Sequence, residues 1–135
     1  MTVEAWSIFI YGLLVFLGVT LQATYQTMTA GPEYGVTNRD KPQPGKGRMG
    51  YRIDNTLNNL KEGALMYVPL TLLTIHFGIS NPWTYYAAWV TIVSRLLYIP
   101  IYVLGIQTVR TLVWAPSFLA VPALAYGIFL GLPQA

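Results

Sequence analysis

The sequence predicts an all-α integral membrane protein with four transmembrane helices. Three observations carry this. Only 10% of the 135 residues are charged and 54% are hydrophobic, whereas a soluble domain carries about 25% charged residues. The charges are also segregated: none occurs in the 28 residues between Glu4 and Glu33, the 32 between Glu62 and Arg95, or the 25 after Arg110. Finally, the middle tract is divided by Gly78-Ile79-Ser80-Asn81-Pro82, because Gly and Pro punctuate regular structure.

The first apolar tract places a span at 5–27, since crossing a bilayer takes about 20 apolar residues. Glu4 and no basic residue precede it, so it reads as a retained helix rather than a signal peptide. The only long connection, 28–54, is rich in Gly and Pro; its start and middle are expected to be irregular, with helix resuming near Met49 to Asp54. The second span is placed at 55–77 and ends at the 78–82 turn; the third and fourth follow at 83–104 and 111–132. All four belong to one domain, 1–135. Pro69, Pro100, Pro116 and Pro122 are expected to kink their helices. Trp6, Tyr11, Trp83, Tyr85 and Tyr86 fall near span ends and read as interfacial anchors.

Orientation follows from the basic residues. Arg39, Lys41, Lys46, Arg48 and Arg52 lie in 28–54, and Arg110 lies at the third connection. The positive-inside rule puts both connections in the cytoplasm, with the termini and the 78–82 turn on the other side. The net charge of +3 comes without a basic stripe interleaved with aromatics, which excludes a nucleic-acid partner. The chain has no Cys and one His, His76. This removes disulfides and cysteine nucleophiles and predicts no metal site.

The polar residues gather at one depth. Arg52, Asp54, Asn55, Asn58, Asn59, Lys61 and Glu62 occupy the cytoplasmic end of the second helix. Arg95, Tyr98 and Tyr102 arrive there on the third, and Arg110, Thr111 and Trp114 begin the fourth. The opposite halves read as almost entirely apolar. Arg52, Asn55, Asn59 and Glu62 are spaced 3, 4 and 3 apart, and Arg95, Tyr98 and Tyr102 are spaced 3 and 4 apart, so each set shares a helix face. Arg95 lies mid-span, where a charge costs about 2.5–3.5 kcal/mol, and Glu62 is its expected partner. The pattern fits a cytoplasm-facing binding site. It also fits a register-fixing ion pair with asparagines as interhelical glue.

Gly50–Pro69 reads GYRIDNTLNNLKEGALMYVP, and Arg95–Trp114 reads RLLYIPIYVLGIQTVRTLVW. The first carries Asn-x-x-Glu after a basic stretch, as Asn59 to Glu62. The second carries Arg95, Tyr98, Tyr102, Gly105 and Arg110. Together they resemble the MAPEG family, membrane-associated proteins in eicosanoid and glutathione metabolism, in its small bacterial branch. The resemblance implies a four-helix protomer forming a homotrimer in a bacterial inner membrane. It implies glutathione bound between protomers near the cytoplasm, used as a transferase or peroxidase substrate against lipophilic electrophiles.

Carried over residue by residue, the resemblance gives Asn59 and Glu62 a role in holding glutathione, with Arg52 and Asn55 on the same face. Arg95 would support the site, and Tyr98 and Tyr102 would line it. Arg110 would stabilise the thiolate, with Thr111 beside it as a hydroxyl donor. Where glutathione-binding members carry Arg, this chain has Asn55 and Asn58. That departure keeps a second reading open, a non-catalytic scaffold or accessory subunit of a larger membrane complex.

Overall fold

The computed structural model describes residues 1–133, all of them helix, turn or irregular chain. The elements are α1 (Val3–Ala30), α2 (Pro32–Gly35), α3 (Gly47–His76), α4 (Pro82–Leu104) and α5 (Gln107–Gly131). The four long helices cover the stretches 5–27, 55–77, 83–104 and 111–132 to within one residue at their ends. Among the described residues, α1, α4 and α5 are long and apolar enough to cross a membrane, with mean hydropathies of 1.8, 1.7 and 1.7. α3 does not join them on composition. Arg48, Arg52, Asp54, Lys61 and Glu62 all lie before Gly63, leaving only the stretch after them apolar.

The helix boundaries have local causes. Thr2 caps α1 by accepting from the Ala5 backbone N–H at 3.2 Å. Asn81 and Thr84 form a reciprocal capping box at the start of α4, with Pro82 in the first turn. α3 ends as the Ile79 N–H reaches back to the Thr74 carbonyl at 2.8 Å, a wrap that closes the open carbonyls of a helix end. Only Gly105 and Ile106 separate α4 from α5, so these two helices run antiparallel and make the most extensive contact in the molecule. α1 packs on α3 and α4. Helix continues through Pro69, Pro100, Pro116 and Pro122.

The long connection is more ordered than its composition suggests. It opens with the single turn α2 at its start, and α3 begins at Gly47, just ahead of the expected Met49. Side chains of α1 hold the remainder. The Tyr25 hydroxyl donates to the Lys46 carbonyl at 2.7 Å, and Gln22 Nε2 donates to Asp54 Oδ1 at 2.9 Å. Lys46 Nζ pairs with Asp54 Oδ2, and this hydrogen bond raises the lysine above its ordinary range.

The buried cluster comprises Tyr11, Leu60, Tyr67, Ile79, Ala87, Ala120, Leu124 and Ile128. Tyr11 is therefore core, not an interfacial anchor. Its hydroxyl donates to the Leu60 carbonyl at 2.9 Å, and its ring stacks on Tyr67 at 6.1 Å. The apolar character expected for the halves opposite the polar level also needs correction. Glu4 is 2% exposed and accepts from the Thr84 hydroxyl at 2.7 Å and the Ser80 hydroxyl at 3.2 Å. Ser7 and Tyr67 hydroxyls meet at 2.6 Å. These polar groups are satisfied pairwise across helices, as a low-dielectric interior requires.

Candidate functional site

α3, α4 and α5 line an open cavity of about 420 Å³ where the polar residues gather. Each helix supplies one stripe. Asn55, Asn58, Asn59 and Glu62 come from α3, Tyr98 and Tyr102 from α4, and Arg110, Thr111 and Trp114 from α5. The α3 stripe follows from helical geometry, since residues three and four apart lie on one face. The α4 and α5 stripes meet because the turn between them is short. Gly105, at φ 77°, donates its N–H to the Tyr102 carbonyl at 3.0 Å, which sends the first turn of α5 back alongside the last turn of α4.

The tight turn sets Arg110 against Tyr102. The guanidinium carbon lies 5.0 Å from the ring centroid, within the range of a cation–π contact. Tyr102 in turn leans on Tyr98, with ring centroids 5.4 Å apart. Arg110 is half-buried, while Glu62 is exposed to the cavity. The cavity thus has a cation on α5, and an anion and three amides on α3.

Of the residues singled out from the sequence, Asn55, Asn59, Glu62, Tyr98, Tyr102, Arg110 and Thr111 are brought together around this cavity. Arg52 and Arg95 are not among its lining residues. The Arg52 guanidinium packs against Gly105, with its Cζ 2.5 Å from where a Cβ there would sit. At that level α3 lies beside the end of α4, so the turn takes the side chain. Arg95 is 3% exposed and donates from Nη1 to Asn59 Oδ1 at 2.7 Å.

The expected Arg95–Glu62 pair is therefore replaced by Arg95–Asn59. The reason lies at Gly63, one turn beyond Asn59. Its missing side chain leaves a slot into which Arg95 Nη2 and the Tyr11 hydroxyl both pack. The guanidinium settles there between the Tyr11 and Tyr98 rings, at 5.6 and 5.8 Å from their centroids. Glu62 points out of the helix on the neighbouring side, toward the cavity. Arg95 Nε has no hydrogen-bond partner among the described residues.

Asn58 and Trp114 line the cavity without having been singled out as site residues. Both signals lay in the sequence: Asn58 is four before Glu62, and Trp114 is four after Arg110. No group of three or more His, Cys, Asp or Glu able to hold a metal occurs among the described residues. His76 stands against Phe77, ring centroids 4.9 Å apart.

The family model described as MAPEG family matches residues 3–130, nearly the whole chain. No curated protein and no solved structure gives a match.

Proposed function

The chain belongs to the MAPEG family, and on that premise we propose that it is a membrane-bound transferase or peroxidase that activates a thiol of the glutathione type against lipophilic electrophiles. Family membership and three apolar helices make it an integral membrane protein in contact with lipid. α3 crosses with them, shielded by its neighbours, and protomers assemble as a homotrimer in a bacterial inner membrane with the cavity facing the cytoplasm. The observation that carries the reading is Arg110, held on the Tyr102 ring at the wall of a polar cavity.

The chemistry follows from charge. A free thiol has a pKa of about 8.5, and its thiolate is the nucleophile. A guanidinium beside the sulfur favours the charged form, and Thr111 adds a hydroxyl next to it. Glu62 accepts from the substrate's ammonium, and Asn59, fixed by Arg95, presents its Nδ2–H to a carboxylate. With a chloronitrobenzene dissolved in the bilayer, a C–S bond forms and the C–Cl bond breaks. Chloride leaves with the electron pair, and the thiol proton passes to water. No protein nucleophile enters the step.

The test is conjugation of glutathione to a chloronitrobenzene by the protein in lipid, followed across pH. Arg110→Ala is expected to lower turnover by about 10²-fold, the scale of one lost electrostatic donor, and to raise the pKa of the bound thiol, with a modest loss of affinity. Glu62→Gln is expected chiefly to weaken binding. Absence of any thiolate signal and turnover in the wild type removes the enzyme reading. A second reading, a non-catalytic scaffold or accessory subunit, is favoured by the neutral amides of Asn55 and Asn58 where a carboxylate substrate would be gripped. Purification in a stable heteromeric complex without turnover would select it.

A further inference from the structure

We propose that Trp114, backed by Phe118, is the platform on which the electrophile lies, and that it selects flat, electron-poor aromatic electrophiles over aliphatic ones. The proposal rests on the transferase reading above. It uses contacts made within α5, and side chains that a neighbouring protomer adds at the cavity's open side leave those contacts in place.

Arg110, Trp114 and Phe118 follow at intervals of four, so they share one face of α5. Each step is about 6 Å along the axis at 1.5 Å per residue. The stripe therefore descends from the cation at the cavity to an indole and then to a phenyl ring within the apolar span. Trp114 lines the cavity and is half-buried. Its ring stacks on Phe118, with centroids 4.9 Å apart and planes 23° from parallel. Phe118 lies one turn further from Arg110, so it covers the far face of the indole and holds the ring against rotation. The near face is the one presented to the cavity.

A thiolate held at Arg110 then stands beside an aromatic surface, on the side from which a compound dissolved in the bilayer arrives. Stacking depends on ring charge. An indole face is electron-rich and nitro groups withdraw density from an arene, so the two faces attract in an offset stack. An alkyl chain gains only apolar contact area. The arrangement also suits the reaction. Displacement of chloride needs the sulfur to approach perpendicular to the ring, and an arene with one face on Trp114 keeps the other face free.

The experiment uses the full chain in lipid nanodiscs with glutathione and two electrophiles matched in partitioning: a chloronitrobenzene and an aliphatic 2-alkenal. With the alkenal, sulfur bonds to the β-carbon and the α-carbon takes a proton from water, so no group leaves. Trp114→Leu is expected to raise the KM for the arene and to lower its kcat/KM relative to the alkenal about fivefold, the scale of one aromatic stack. Trp114→Phe keeps a ring and should recover most of that ratio. Phe118→Leu releases the indole and should move the ratio in the same direction, which makes the test if Trp114→Leu does not fold.

Equal losses for the two electrophiles overturn the proposal, because the indole would then serve the shape of the cavity rather than the arene. A ratio unchanged in Trp114→Leu and Phe118→Leu also overturns it, while turnover by the wild type would still uphold the transferase reading. Absence of turnover with both electrophiles removes the proposal and the transferase reading together.

Discussion

Arg95 is a charged side chain in the interior, 3% exposed. It is a guanidinium at mid-helix depth with no carboxylate partner among the described residues; it donates to Asn59 Oδ1 at 2.7 Å. Two aromatic faces and the slot over Gly63 make that position tolerable. The slot is specific to glycine because a Cβ would collide with both Arg95 Nη2 and the Tyr11 hydroxyl. Gly63→Ala is therefore expected to destabilise the protein by about 1–3 kcal/mol, the cost of overpacking a filled interior. It should also weaken thiol binding, because displacing Arg95 frees Asn59 to rotate. Thermal unfolding in lipid and calorimetric titration read the two effects separately. A neutral outcome on both would show that the Arg95–Asn59 bond does not position the amide.

The hairpin of α4 and α5 determines where the one cavity-lining cation stands. Gly105 adopts the left-handed conformation at φ 77° and lets the Arg52 guanidinium lie against its backbone. For a residue with a side chain that conformation costs about 1–2 kcal/mol. Gly105→Ala should lose stability on that scale, measured as a lower melting temperature in lipid. Because Arg110 lies in the first turn of α5, just after this turn, turnover should fall with it while α3's amides remain in place. Loss of stability without loss of turnover would mean that the Tyr102–Arg110 contact survives a changed turn. Glu4 ties other elements together. It crosslinks the start of α1 to Ser80 and Thr84 at the far end of the fold.

At the scale of the whole molecule, orientation and assembly decide whether the cavity is usable. The basic residues Arg39, Lys41, Lys46 and Arg48 lie at the end of the molecule where the cavity opens, and the 78–82 turn lies at the other. Since the chain has no native cysteine, Gln43→Cys and Ser80→Cys can be labelled singly from each side of a sealed membrane. Position 43 is expected to react from the cytoplasm and position 80 from the opposite side. The reverse result would overturn the cytoplasmic placement of the site. A mass measurement in native lipid is expected to give a homotrimer. Lys61 and Glu62 of α3 are exposed in the single protomer, and in a membrane they would need the cover that neighbouring protomers would supply. A stable monomer would contradict this.

The sequence by itself determined the helices and the level at which chemistry gathers. Segregation of charge and the Gly-Pro turns located four long helices, because lipid tolerates long uncharged helices and turns need special backbone residues. Helical spacing put Asn55, Asn59 and Glu62 on one face and Tyr98 and Tyr102 on another, because 3.6 residues per turn is a local property. The tertiary structure decided which groups meet. Glu62 and Arg95 look complementary by depth, yet the empty slot at Gly63 and the ring of Tyr11, a residue from a third helix, draw Arg95 to Asn59. Arg52 shares the α3 spacing but is diverted by the turn at Gly105. Tyr11 falls near a span end and reads as an interfacial anchor, yet packing buries it, together with Glu4. Periodicity assigns a residue to a face of its own helix, but which neighbour that face meets, and which side chain is small enough to admit it, depends on contacts far apart in sequence.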